Sequence, residues 1–502
     1  MVLALLAAAP ILVATIVIVG LGQSALRAGS LGLLCALAIS WIGGLFTDTG
    51  VFGLPGSDAI DATTRALLAT GNVSYVLFGG VLLYHVLRAG GALAAISDLV
   101  VVALPRREHT VLTLVFGVSV FFESATGFGV GIVVVAPLFL ALGYPPLKAA
   151  FLALLGQCAV PWGALAIGTE LGSDLTGIPM VQLATLGIPL SLPFVIIVAL
   201  SALSVAGELD RRVSRVAIAL MYALVSSVTL GFFSHAVATE LAGCLSGLVI
   251  CVFGWWLSNR GGGSARCDSI VGQTGDARKA CSLRSALLPP GILLAGLFLT
   301  RAVPTIRDVV EPVARVVVPQ YDFSVSLVYH SGFWLVLAAA VGLIGFRLTR
   351  DTGAIINGAF RQWLMAALAV LVFLILGHVM LSNGMTEQLA RTLVAMAGGG
   401  FAWVSPFIGA IGGFLTASNA ASNALFMPFQ MNAANALGLS GEWVGAAQNA
   451  AGSNGTLASP GRVIFAASIV GESGAEGRLL RRALPMIVLA TLGMSAALVL
   501  VP

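Results

Sequence analysis

Two blocks concentrate polar side chains within otherwise apolar sequence: Phe121-Phe122-Glu123-Ser124-Ala125-Thr126-Gly127-Phe128-Gly129-Val130-Gly131 and Phe414-Leu415-Thr416-Ala417-Ser418-Asn419-Ala420-Ala421-Ser422-Asn423-Ala424-Leu425. A helix broken at membrane depth frees backbone N–H and C=O groups that lipid cannot satisfy, so protein or a ligand must do so. Helix N-termini at such a break suit a carboxylate, and exposed carbonyls suit a cation. Gly127 and Gly129 let a ligand approach the backbone, while Ser124, Thr126, Ser418, Asn419, Ser422 and Asn423 supply neutral donors and acceptors. Close helix packing through small residues is the competing account of either block. Two blocks at matched positions favour a binding site.

The helix after each block is interrupted too, by Gln157-Cys158-Ala159-Val160-Pro161-Trp162-Gly163 and by the run from Gln448 through Asn454, Gly455, Ser459 and Pro460 to Arg462. Arg462 is placed to neutralise a substrate carboxylate; snorkelling toward the membrane interface is its alternative. Glu123 is the one acidic residue expected inside a membrane segment, and an intramembrane carboxylate marks function by default. Glu123, His85 and His378 are the proton-handling candidates.

The elements that must position these residues are membrane helices. Of 502 residues, 58% are hydrophobic and 9% charged, with mean hydropathy +1.02. That excludes a soluble enzyme, a nucleic-acid binder and a disordered scaffold. Neither lysine, Lys148 nor Lys279, lies in a phosphate-binding loop, so active transport must draw on a gradient. The six cysteines show no metal-ligand spacing, and no cofactor or metal is expected. The run from Val2 to about Leu21 is read as a retained first helix. Threading the basic residues places Arg65, Arg301, Arg307, Arg315 and Arg391 outside and most others in the cytoplasm.

About 12 transmembrane helices plus two re-entrant hairpins are expected, in an all-α polytopic transporter. Its halves match in order: His85 and Gly91 with His378 and Gly384, Pro137 with Pro428, Gln157 with Gln448. Opposite entry of the two hairpins makes this an inverted-topology repeat. The expected parts are an N-terminal helix over 1–28, a scaffold part over 29–104 and a transport part over 105–206. Central helices with a cytoplasmic loop at 259–284 occupy 207–331, and a short interfacial helix is expected within 302–330. The second scaffold and transport parts take 332–398 and 399–502.

Phe122-Glu123-Ser-Ala-Thr-Gly127-Phe128-Gly129 resembles a segment of the L-lactate permease family. Gly377-His378-Val-Met-Leu-Ser-Asn-Gly384-Met385, Ser405-Pro-Phe-Ile-Gly409, the second polar block and Gly455-Thr-Leu-Ala-Ser459-Pro460 are similar to its C-terminal half. The resemblance implies a bacterial inner-membrane carrier of elevator-like architecture that symports small 2-hydroxymonocarboxylate anions, such as lactate or glycolate, with H+. A homodimer follows by analogy with elevator carriers. Three positions depart from the family pattern: Asn419 stands where an Asp is usual, Thr456 where a Lys is usual, and Arg462 where a small residue is common. Losing an acid and a base together keeps local charge balance. A Na+-coupled symporter, with the Ser-Asn pairs as oxygen ligands, is the rival mechanism; a passive channel is the rival class.

Overall fold

The computed structural model describes residues 2–17, 21, 23–46, 52–96, 104, 106–127, 129–208, 213–260, 281–321, 323–472 and 475–501. Phe128, Arg211, Arg212 and Cys267 lie outside the described residues, as does 261–280 of the expected cytoplasmic loop, with Arg266, Arg278 and Lys279. Helices satisfy their backbone groups within the segment, which is why so apolar a chain folds as helices. Among the described residues ten helices are long and apolar enough to cross a membrane, accompanied by five shorter apolar ones. The architecture is all-α and polytopic apart from one small hairpin of strands.

Two helices, α1 (Val2–Thr15) and α2 (Ala25–Phe46), precede the first repeat. That repeat runs through α3 (Gly56–Ala89), α4 (Arg107–Thr126), α5 (Val130–Ala141) and α6 (Pro146–Leu155). After a 3₁₀ turn at Val160–Trp162 it continues with α7 (Ile167–Thr176) and α8 (Met180–Ala206). The centre holds α9 (Val213–Ala236), α10 (Thr239–Asn259), α11 (Leu283–Ala302) and α12 (Pro304–Val310). The strands β1 (Arg315–Val318) and β2 (Phe323–Ser326) pair antiparallel, Arg315 opposite Ser326. Helix α13 (Ser331–Gly345) leads into the second repeat: α14 (Thr352–Ser382), α15 (Met385–Ala397), α16 (Phe401–Thr416), α17 (Asn419–Leu437) and α18 (Gly441–Gly455). A 3₁₀ turn at Thr456–Ala458, α19 (Pro460–Ile469) and α20 (Glu476–Val499) complete it. Each repeat thus contains a helix pair, a helix, a 3₁₀ turn, a short helix and a long final helix, in the same order.

The interruptions have local causes. Gly127 (φ +70°) and Gly129 (φ +75°) occupy left-handed regions between α4 and α5, which glycine enters without a Cβ penalty. A Cβ on Gly127 would also stand 2.7 Å from that of Ala164. In the second repeat, Ala417 (φ +57°) ends α16, and the Ser418 hydroxyl caps α17 by accepting from the Ala421 N–H. Pro460 starts α19 at the first helical position, where a missing N–H costs nothing, behind the cap Ser459.

The repeats exchange arms. Helix α7 of the first repeat packs on α17 of the second, and α19 of the second packs on α5 and α6 of the first. Helix α14, about 46 Å long at 1.5 Å per residue, lies against α3, and both exceed a hydrocarbon thickness of about 30 Å.

The segment expected to hold a short interfacial helix contains α12 followed by the strand pair. Its consecutive valines, Val316-Val317-Val318, favour the pleated conformation over a further helical turn. It ends at His330, which caps α13 by accepting from the Gly332 N–H at Nδ1 and stacks on Tyr75. Burial, and then the charge of Arg301, pushes the His330 pKa down to about 4. The folded protein therefore holds a neutral imidazole that the unfolded chain would protonate below about pH 6.5. Stability should fall as pH drops from about 6.5 to about 4 and stay level below that, by at most about 3 kcal/mol from this group. Thermal unfolding in detergent across that range should show the decline in the wild type, and less of it in His330→Asn, which keeps a capping acceptor and cannot titrate.

Candidate functional site

Both polar blocks and both broken helices meet at one cavity of about 500 Å³. Glu123 and Gly127 come from the first block, Thr416–Ala421 from the second, Val160, Gly163, Ala164, Ile167 and Gly168 from the first broken helix and Arg462 from the second. The opposite wall is α14, which presents Met365, Ala366, Ala369, Val370 and Phe373, with Gln362 as its polar residue. Three helix N-termini contribute: α7 through Ile167 and Gly168, α17 through Ser418–Ala421, and α19 through Arg462. Partial positive charge at each, together with a guanidinium, suits a small carboxylate.

Glu123 and Arg462 form the charged centre. Glu123 Oε1 lies 3.6 Å from Arg462 Nη2, with side-chain exposures of 5% and 13%. Each carboxylate oxygen also accepts a backbone N–H at 3.3 Å, Oε1 from Gly129 and Oε2 from Gly131, so the carboxylate occupies the N-terminus of α5. Arg462 Nη1 donates to Gln157 Oε1. Both partners of the arginine thus come from the other repeat, and the side chain turns inward instead of snorkelling. Gln157 Nε2 has no partner among the described residues.

Beside this pair lies a buried amide network. Asn449 Oδ1 accepts from Asn419 Nδ2 at 2.8 Å and Asn423 Nδ2 at 2.9 Å, and Asn449 Nδ2 donates to the Thr169 hydroxyl at 3.0 Å. Asn423 Nδ2 also reaches the Gly168 carbonyl at 2.9 Å. Gln448 Nε2 donates to Ser422 Oγ at 3.2 Å, and Gln430 Nε2 donates to Gln448 Oε1 at 3.0 Å. Asn419, which lines the cavity, keeps its Oδ1 without a partner among the described residues. This network holds the start of α17 against the start of α7 and leaves the Asn419 acceptor at the cavity for a ligand.

The break before α7 carries backbone strain. Ala164, Leu165 and Ala166 have φ of +41°, +52° and +64°, a run that L-residues adopt at about 1–2 kcal/mol each. The conformation aims the Ala164 N–H at the Glu123 carbonyl (2.9 Å) and the Leu165 N–H at the Ser124 carbonyl (2.6 Å). Both are carbonyls of the last turn of α4, and that of Glu123 also accepts the Gly127 N–H at 2.9 Å.

Of the expected site residues, Glu123, Gly127, Ser418, Asn419 and Arg462 line the cavity, and Gly129, Gln157, Asn423 and Gln448 support those that do. Thr126 bonds its own helix at the Phe122 carbonyl, and Ser422 bonds the Gly409 carbonyl. Ser124 is buried beside Gly243, away from the cavity lining, and Ser459 caps α19. Asn454 is buried outside the lining, and Gly455 allows backbone contact, since a Cβ there would meet the Ala410 carbonyl at 2.0 Å. His85 does not line the cavity but hydrogen-bonds Gln362, the polar residue of the α14 wall, and His378 lines a different cavity. Sequence reasoning missed Thr169, Asn449 as a hub, the Ala164–Ala166 run and the apolar α14 wall.

The family profile described as L-lactate permease matches residues 3–321 and 312–501. The chain belongs to the L-lactate permease family. It is 27% identical over 432 residues to an L-lactate permease of Streptococcus iniae, covering 83% of this chain and 87% of that one. It is 25% identical to one of Escherichia coli (strain K12), covering 82% and 80%, and 23% identical to one of Bacillus subtilis (strain 168), covering 86% and 85%. Among solved structures it is similar to the Alcanivorax borkumensis YdaH transporter, with TM-score 0.47, 16% identity and coverage of 95% and 98%. Family membership and ten apolar helices make it a multi-pass bacterial membrane protein.

The buried ion pair predicts a stability cycle. Arg462→Gln strands the Glu123 charge and should cost about 3–5 kcal/mol, whereas adding Glu123→Gln should recover much of it. Thermal unfolding of both single variants and the double variant in detergent checks this; equal losses for the Arg462 single and the double variant would contradict it.

Proposed function

We infer that this chain is a secondary active symporter that carries L-lactate, and related small 2-hydroxymonocarboxylates such as D-lactate and glycolate, across the bacterial inner membrane with protons. The observation that carries this reading is the pairing of Arg462 with Glu123 beside an Asn419 Oδ1 that has no partner among the described residues, at three helix N-termini. The substrate carboxylate would take the face of Arg462 and the N-termini, and its hydroxyl would donate to Asn419. Before substrate enters, the two charges of the pair cancel. An added carboxylate leaves a net negative charge in a sheltered cavity, and one proton restores neutrality. Glu123 is the proton carrier in this account, ahead of His85 and His378.

The site's position supports an elevator-like movement. The α4–α5 and α16–α17 pairs would be re-entrant hairpins of an inverted repeat. With α6–α8 and α18–α20 they would form the transport part, and α3 with α13–α14 the scaffold, in a homodimer. Na+ coupling is the competing mechanism, drawing on the amide and hydroxyl oxygens near Asn419 and Asn423.

Purified protein in proteoliposomes should accumulate labelled L-lactate under an inward H+ gradient, with saturation, and Glu123→Gln should abolish accumulation while leaving lactate exchange. Accumulation driven by Na+ alone would move the coupling site to the Ser-Asn pairs, and uptake that never saturates would indicate a channel. Asn419→Ala should narrow the preference for lactate over propionate, which lacks the hydroxyl, by about fivefold, roughly the worth of one hydrogen bond.

A further inference from the structure

A second cavity, of about 610 Å³, lies beyond the first turn of α7. The helix separates the two spaces: Ile167 and Gly168 line the first, while Glu170, Leu171, Ser173 and Asp174 line the second. Arg65, Arg301 and Arg315, the arginines that line this second cavity, are three of the five that the charge pattern puts outside, so it opens to that side.

Its charges are unevenly matched. The acids are Glu170, Asp174, Glu240 and Glu311, and the bases are Arg65, Arg301 and Arg315. Arg301 is committed to Glu240 at 3.2 Å and lies over the Tyr329 ring. Arg65 is committed to Asp61 at 2.8 Å, and Arg315 donates to the Ser324 hydroxyl. Glu170 is left with a neutral donor, Asn72 Nδ2, at 3.0 Å, and makes no ion pair among the described residues. Asp174 follows one turn later on the same helix face. Where α17, α8 and α18 pack on α7 they offer Asn423, Leu183 and Asn449, none of them charged. His378, His330, Tyr321 and Tyr329 complete the titratable lining. His330, 9% exposed, has an Nε2 with no partner among the described residues, so this cavity too holds an unused polar group.

A sheltered carboxylate with like charges nearby and no cation of its own is built to take a proton. Glu170 also adjoins Thr169, whose hydroxyl ties α7 to Asn449 and through it to Asn419. We propose that Glu170 is a second coupling carboxylate, which takes the transported proton from the outer cavity before Glu123 receives it in the inner one. This rests on the proton-symport reading above. The proton leaves solvent water for a Glu170 carboxylate oxygen and returns to water or to Glu123, with no other bond made or broken.

The test separates the two readings by using one measurement without substrate. Infrared difference spectra of the purified full-length protein, titrated from acid to alkaline pH, should show a protonated-carboxyl band that Glu170→Gln removes. Asn72→Leu, which deletes the donor to the carboxylate, should move the midpoint of that band up by about one pH unit, the worth of one such hydrogen bond. In proteoliposomes the same two variants should flatten and shift, respectively, the dependence of lactate uptake on external pH. A band unaltered in Glu170→Gln, or an unmoved midpoint in Asn72→Leu, overturns the proposal. A band that behaves as expected in a protein that transports no lactate upholds Glu170 as the proton site and instead sinks the substrate assignment.

Discussion

Backbone groups freed where a helix stops inside an apolar protein must find partners, and at this site each repeat finds them in the next element or in the other repeat. The carbonyls of Glu123 and Ser124 receive the N–H groups of Ala164 and Leu165, and at the start of α7 the Gly168 carbonyl is also held by the amide of Asn423, 255 residues away in sequence. A run of three left-handed residues is the cost of that arrangement. Everything polar at the cavity follows from it, because the same break sets where α7 begins and therefore where Asn449 can reach Thr169.

The exchange of arms gives the charged centre its composition. Arg462 belongs to the second repeat, yet Glu123 and Gln157 belong to the first, since α19 packs on α5 and α6. A base in a position where a small residue is common becomes intelligible once its acid is seen across the repeat boundary. The pair is neutral as a unit, which permits its burial, and any anion arriving beside it disturbs a balance that was already closed.

Much of this was legible in the chain. Clustered Gly, Ser, Thr and Asn in apolar runs located both helix pairs, and Pro161 and Pro460 located both breaks. The all-helical class followed from composition. What escaped has physical reasons. Alanine and leucine carry no signal for a left-handed backbone, so Ala164–Ala166 read as ordinary helix. Asn449 was one amide among several until tertiary contact made it the acceptor of two others. Glu170 sits in the sequence Thr169-Glu170-Leu171-Gly172-Ser173-Asp174, whose polarity reads as the end of a span, and only the fold turns that face toward an enclosed space. Asn454 and Gly455 had the composition of a site but serve packing, because polarity alone does not say which face of a helix meets a cavity.

The α14 wall differs from the side of the inner cavity that carries Arg462 and Asn419. Arg462, Asn419 and the backbone of 163–168 are all tied into hydrogen bonds within one interlocked body, whereas Met365, Ala366, Ala369, Val370 and Phe373 offer nothing directional to hold on to. Dispersion contacts between smooth apolar faces change little when the faces slip by a turn, but hydrogen bonds and ion pairs must break to move at all. A ligand seated here would thus be held by directional contacts on the side of Arg462 and Asn419 and only touched by dispersion along the apolar residues of α14.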